Sequence, residues 1–358
     1  MIRRLKEHWP LTLAALLFLL CALSAWRLHA VGALLDSQRA AERWRGESER
    51  KFAQISCFAA PSELLSLEQL ISFRGAMAQK LKDASFDLEK ETGLYTDAWS
   101  TEVKVTVSAG RRSGEVQAVA VGGSFFDFHP VRLLSGSYLS ADDLMEDRVL
   151  LDRETAWLLF GGTELSGMSF SLNGVPVVVS GVYAHADDSF SRKAEEGAMR
   201  IYIHYALYEK LFPEKTGIAC YEFVMADPVK GFARGAAEEK FPLKSAEIVE
   251  NSSRFETAKL WALLRSRGTR SMRKTAAAYP TWENAARAAE DRAVLWLLGA
   301  IVFGIFPSLL IAFDLVRYTR RGRARFENDL LPEARERLRE AVRVRARARW
   351  VRKHPDMK

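Results

Sequence analysis

The sequence predicts a membrane-anchored α+β chain, with two transmembrane helices flanking an extracytoplasmic domain built from split β-α-β units. Three observations predict it. An apolar run lies near each end, at residues 11–25 and 294–316. Basic segments adjoin both runs on their outer sides. Between them, short alternating strands and amphipathic helices follow one another in mixed order.

The 358 residues carry a net charge of +7, unevenly spread. Residues 1–32 hold Arg3, Arg4, Lys6 and Arg27 against Glu7, a net of +3. Residues 317–358 hold fifteen Lys/Arg against six Asp/Glu, a net of +9, which leaves −5 for the middle. Basic ends around an acidic middle point to membrane topology rather than nucleic-acid binding. They place both termini in the cytoplasm and the middle outside.

The first element follows a basic head, residues 1–10. Pro10 suits a helix's first turn, and residues 11–32 form the first span, lengthened if Trp26 sits at the interface and Arg27 snorkels. A retained anchor is the preferred reading, with a cleaved signal peptide as its alternative. The helix is expected to continue through Leu28, Val31 and Leu35, and the charged residues 36–54 to form a solvated stem. Residues 33–60 are thus stem helix and approach to the core.

The core spans 61–250. Lys51–Phe58 reads as its leading strand. Ser66 and Gln69 have capping-box spacing ahead of Leu67, Leu70, Ile71, Met77 and Leu81. Val103, Val105 and Val107 alternate, Gly110–Gly114 turns the chain, and Val116–Val121 returns. Ser140 and Asp143 suggest a further helical turn. Val149–Leu151 is a buried strand, Asp152 an N-cap, and Gly161-Gly162 the stop of a short helix containing Trp157 and Phe160. Asn173-Gly174 is a two-residue hairpin signal between Met168–Leu172 and Val175–Val182. After a polar loop at 184–199 come strands at 200–204, 222–226 and 246–249, with helices at 206–212 and 229–240. Residues 251–292 are a helical return segment, 293–316 the second transmembrane helix, and 317–358 a basic cytoplasmic tail helix.

Three pieces of this order, Gly136-x-x-Leu139 with Asp143, Leu159-Phe160-Gly161 and Val179-Ser180-Gly181-Val182, resemble the core domain of MacB-like, FtsX-type ABC-transporter permeases. The resemblance implies a MacB-like extracytoplasmic domain on a bacterial plasma membrane, in a short two-span variant. It implies a non-catalytic membrane subunit of a transport or mechanotransmission complex, energised by a separate ATPase. Its partners would be an ABC ATPase in trans and a larger permease or a second copy of the chain. In that family three spans follow the core, where this chain has one. The alternative is a stand-alone membrane-anchored binding or sensor module.

Catalytic signatures are missing from the sequence. It contains no G-x-x-x-x-G-K-[ST] P-loop, no G-x-S-x-G and no H-E-x-x-H. Ser189 is followed three residues later by Arg192 rather than Lys. No cofactor or metal is expected. His185 with Asp187 and Asp188 reads as a polar loop, His129 and His204 as strand-end residues, and Asp142-Asp143 as a helix start. The thiols of Cys57 and Cys220 either pair outside the cytoplasm or stay as two buried free cysteines. The residues singled out for contact are in the tail. Arg320, Arg321, Arg323, Arg325, Arg343 and Arg345 are expected to meet anionic lipid headgroups or a cytoplasmic partner.

Overall fold

The structure is a computed structural model and describes residues 2–140, 143–195, 197–268, 270 and 279–353. Backbone contacts divide the chain into two units. One comprises residues 26–297, the other 1–25 with 298–358.

The larger unit is a mixed sheet with helices on both faces. Its strands are β1 (Phe52–Phe58), β2 (Tyr95–Ala109), β3 (Arg112–Gly123), β4 (Arg132–Gly136), β5 (Arg148–Asp152), β6 (Ser169–Leu172), β7 (Val175–Ala184), β8 (Arg200–His204), β9 (Cys220–Ala226) and β10 (Glu247–Glu250). They lie in the order β10-β1-β9-β2-β3-β8-β5-β7-β4, with β6 bridging β2 and β7. β3 with β8 and β5 with β7 are parallel; the other pairs are antiparallel.

One split β-α-β unit is visible at the β10 edge. β1 and β2 are joined through α3 (Leu67–Asp83), and β9 and β10 through α8 (Phe232–Lys240). Strand β9 slots between β1 and β2, and β10 closes the outside, so the two halves interleave. The rest of the sheet is inserted between these halves, running from the long β2–β3 hairpin to β8.

Local chemistry explains the helices. Ser66 Oγ accepts from Gln69 N and the Gln69 side chain accepts from Ser66 N, a complete capping box for α3. Leu70, Phe73, Met77 and Leu81 of α3 are buried at helical spacing, while Ile71 points outward. Asp152 caps α5 (Arg153–Leu159) by accepting from Thr155 N. Gly161 leaves that helix at φ +80. Helices α3, α5, α7 (Tyr205–Leu211) and α8 cover the face whose core includes Ile55, Met77, Val107, Tyr221 and Phe223.

The opposite face carries Phe58, Ala98, Val121, Phe125, Phe128, Tyr202, Val224 and Trp282. It is covered by α2 (Ala40–Arg45), α4 (Phe125–Phe128) and the start of α10 (Thr281–Arg325). Helix α1 (Ile2–Ala33) stops two residues short of Leu35, where continuation was expected. Residues 36–54 are a 3-10 turn at Asp36–Gln38, then α2, then the start of β1. Residues 42–51 are solvated as expected, but Gln38, Ala40 and Ala41 before them are buried against the larger unit. The fully buried amide of Gln54 holds them there, accepting from Ala40 N and donating to Ser37 O.

Register settles the cysteines. Cys57 lies opposite Tyr221, and Phe58 opposite Cys220. This one-residue offset puts the two thiols on opposite faces of the sheet. Both are free.

In the smaller unit, Cys21 Sγ lies 3.3 Å from Ala300 O, and a Cβ at Gly299 would meet Ser24 Oγ at 3.0 Å. Small residues thus let two apolar helices approach. The stretches Thr12–Ala33 and Thr281–Ala324 are both long and apolar enough to cross a membrane. Helix α10 continues through Pro307, beside which Ser308 Oγ donates to Gly304 O. A π-helical turn, Phe326–Leu330, leads to α11 (Leu331–Lys353). The helical turn expected at Ser140–Asp143 falls partly on residues 141–142, outside the described residues.

Candidate functional site

The most developed polar arrangement lies where the first and last segments of the larger unit meet the sheet. It is built on Arg254, in the turn after β10. Its Nε donates to Glu290 Oε1 at 2.9 Å, Nη1 to Gln38 Oε1 at 2.7 Å and Nη2 to Glu283 Oε1 at 2.6 Å. One guanidinium therefore ties the turn after α1 to two positions about two turns apart on α10.

The network extends further along α10. Arg287 donates from Nε to Glu283 at 2.6 Å and from Nη2 to Glu247 Oε1 at 2.8 Å. Tyr279 hydroxyl donates to Glu247, and its ring lies 3.9 Å from the Arg287 guanidinium. Arg270 reaches the second oxygen of Glu290 at 2.8 Å. Glu283, Arg287 and Glu290 recur at intervals of four and three residues, which puts them on one helix stripe. Ala285, Ala286, Ala289 and Ala293 are fully buried beside them and let the helix approach closely.

Electrostatics keep this cluster charged. Burial disfavours the Arg254 cation, but Glu283 and Glu290 more than offset that and hold its pKa above the ordinary arginine value. Burial also pushes the Glu247 carboxyl up. Hydrogen bonds from Tyr279 and Arg287 more than reverse this and leave it below the usual range.

A second polar line continues across the same face. Asn251 N donates to Gln54 O at 2.8 Å and Asn251 Nδ2 to Ser56 Oγ at 2.6 Å; Ser56 in turn donates to Glu222 Oε1 at 2.6 Å. His129 pairs with the other oxygen of Glu222, and its ring packs, tilted by 39°, with its centroid 4.2 Å from that of Trp282. His129 is therefore a buried network member, not only the end of an element.

His185 is the centre of a different cluster. Its Nε2 lies 3.1 Å from Asp152 Oδ2 and 3.1 Å from Glu154 Oε2, and its Nδ1 lies 2.8 Å from Glu195 Oε2. Hydrogen bonds to Asp152 and then Glu195 raise its pKa to about 10, against the opposing effect of burial. The acids nearest in sequence do other work. Asp188 caps α6 (Ser189–Glu195) through Phe190 N and Ser191 N, and Asp187 is exposed. His204 faces Asp143 at 3.4 Å.

The tail arginines are spread along two helices. Arg320, Arg321 and Arg323 are exposed near the end of α10, and Arg325 is its last residue. Arg343 and Arg345 are exposed on α11, where Leu338 and Val342 are also exposed on the side shared with Leu331 and Ala334.

Sequence reasoning missed Arg254, Glu283, Arg287 and Glu290, since charges on a helix ordinarily face water. The available signal was their recurrence on one stripe with alanines. Glu154 and Glu195 were missed because Glu154 lies on a different element, and Glu195 at the end of α6 turns back toward His185 in a way the polar loop does not signal.

Residues 58–241, half of the chain, match the model of the MacB-like periplasmic core domain. Among solved structures, the extracellular domain of the noncanonic ABC-type transporter YknZ from Gram-positive bacteria is 14% identical, covering 55% of this chain and 99% of its own, at a TM-score of 0.39. The periplasmic region of MacB from Actinobacillus actinomycetemcomitans is 15% identical, covering 62% and 98%, at 0.40. A domain of a putative permease protein from Porphyromonas gingivalis is 12% identical, covering 56% and 87%, at 0.33. No curated protein sequence matches the chain.

Proposed function

The chain belongs to the family of the MacB-like periplasmic core domain, and on that premise we propose that it is a non-catalytic subunit of an ABC-type transport or mechanotransmission complex. Two apolar helices flanking a periplasmic-type domain make it a membrane protein with an extracytoplasmic domain. In this reading the energy is supplied by an ABC ATPase acting in trans, since the 358 residues themselves contain no P-loop. The basic flanks favour cytoplasmic termini, with residues 61–250 outside as the core domain.

The observation that carries the mechanotransmission reading is the buried clamp. Gln38, just after α1, and Glu283 and Glu290, at the start of α10, share the single guanidinium of Arg254. A displacement of either segment is then felt by the turn after β10 and, through Asn251 and Gln54, by strand β1. All three guanidinium nitrogens of Arg254 are engaged, and such a buried network resists partial opening.

The tail supplies contact with the inner surface. Arg320, Arg321, Arg323, Arg325, Arg343 and Arg345 offer positive charge to anionic headgroups, beside the apolar stripe of α11. The remaining partner is a larger permease or a second copy of the chain. The test is enzymatic. Full-length tagged chain captured from its own membranes in mild detergent brings down vanadate-sensitive ATP hydrolysis. A capture without ATP hydrolysis supports a stand-alone anchored binding module instead.

A further inference from the structure

The cluster around His185 has no role in the clamp or the tail, and it is more than a set of acids. An imidazole sits with two carboxylates converging on Nε2 and a third beside Nδ1. We propose that His185 Nε2, Asp152 Oδ2 and Glu154 Oε2 bind one divalent transition-metal cation of the zinc class, with Glu195 as the residue that positions the imidazole.

The spacing fits. The three ligand atoms lie within 4.8 Å of one another, and Nε2 is 3.1 Å from each oxygen. Zinc bonds of about 2.0–2.2 Å at tetrahedral angles separate neighbouring ligand atoms by about 3.3–3.5 Å. Each oxygen needs to move a few tenths of an ångström from Nε2 to reach that separation. Two carboxylate oxygens and one imidazole nitrogen suit zinc, and solvent completes the fourth position because Glu154 is 42% exposed.

The surroundings hold the ligands in place. Asp152 is fully buried; its Oδ1 accepts from Thr155 N at 2.7 Å and its Oδ2 from Arg200 N at 2.8 Å. Arg153 takes the other oxygen of Glu154 at 3.2 Å, which leaves Oε2 for the cation. Glu195 Oε2 lies 2.8 Å from His185 Nδ1 and can keep the imidazole proton on that nitrogen, while the cation takes the place of the proton that Nε2 shares with the two carboxylates. Arg200 Nη1 stands 4.0 Å from Glu195 Oε1, balancing that positioning carboxylate. The ligands come from the start of α5 and the residue after β7, and the positioning residue from the end of α6. A bound ion therefore staples the polar segment 184–199 to the sheet. The site stands independently of the transport reading.

The experiment is calorimetric titration of the full-length chain in mild detergent, stripped with chelator, with zinc chloride as the probe. The wild type takes up one zinc per chain. Glu195→Gln weakens binding about 10–100-fold, the cost of losing an outer-shell partner. His185→Gln abolishes saturable binding, while Asp187→Asn leaves it unchanged. If His185→Gln does not fold, Glu154→Gln at the exposed helix start replaces it and is expected to weaken binding by about tenfold or more. Cobalt chloride gives a second readout, a visible absorption band that depends on His185. Wild type and ligand variants that titrate alike overturn the proposal and leave the cluster as an imidazolium clasped by three carboxylates.

Discussion

Arg254 and Glu283 meet at 2.6 Å with only 1% of either side chain exposed. Such a pair is a fixed commitment. Removing one member leaves a buried, uncompensated charge, which costs about 3–5 kcal/mol. Arg254→Met is therefore expected to destabilise the larger unit by about that much, measured by chemical unfolding of the full chain in detergent. Adding Glu283→Gln restores the charge balance, since Arg287 keeps Glu247 and Arg270 keeps Glu290, so the double variant is expected to recover a large part of the loss.

Acid should weaken the same region. Glu247 titrates below its ordinary value of 4.5 in the folded chain. Its contribution is complete above the unfolded value and fades as pH falls through the folded one. Thermal unfolding scanned downward from pH 5 is expected to show a steep loss of stability, and Glu247→Gln a shallower one.

The thiols are expected to be inert. Burial, reinforced by Glu222, pushes both Cys57 and Cys220 up. Intact mass spectrometry under non-reducing conditions should find no disulfide between them. Maleimide should label both only after denaturation.

The glycines of the family motif make a steric prediction. Gly136 has φ +72, and a Cβ there would lie 2.2 Å from Ser180 O; one at Gly181 would lie 2.5 Å from Ser135 O. Strands β4 and β7 pass too closely for side chains at that crossing. Gly136→Ala combines a left-handed backbone with overpacking and is expected to cost about 2–4 kcal/mol. Equilibrium unfolding measures it.

The tail makes an electrostatic prediction. Replacing Arg343 and Arg345 with Glu should weaken binding to anionic vesicles by about 2 kcal/mol or more, at roughly 1 kcal/mol per basic residue near the surface. Co-sedimentation at low and high salt measures it, with the difference shrinking as salt rises.

Much of the core was legible because its signals are local. Ser66 with Gln69, Asp152 before α5 and Asn173-Gly174 between β6 and β7 each act within a few residues. What was hidden depends on residues distant in sequence. Strand β9 sits between β1 and β2, which no periodicity reports. Glu283 and Arg287 resemble solvated helix charges until Arg254 and Glu247 arrive beside them. The segment 36–54 reads as a solvated stem because its charges outnumber its apolar residues, and 42–51 are solvated, yet Ala40 and Ala41 are buried beside the amide of Gln54, which accepts from Ala40 N. His185 gains its carboxylates from β5, α5 and α6 rather than from Asp187 and Asp188 next to it.

The most direct test of the account is quantitative mass spectrometry of the tagged full-length chain recovered from its own membranes in mild detergent. An ATP-binding protein at a fixed ratio to the chain, together with a multi-span permease or a second copy, is the predicted result. Recovery of the chain with no ATP-binding protein would contradict membership of an ABC-type complex.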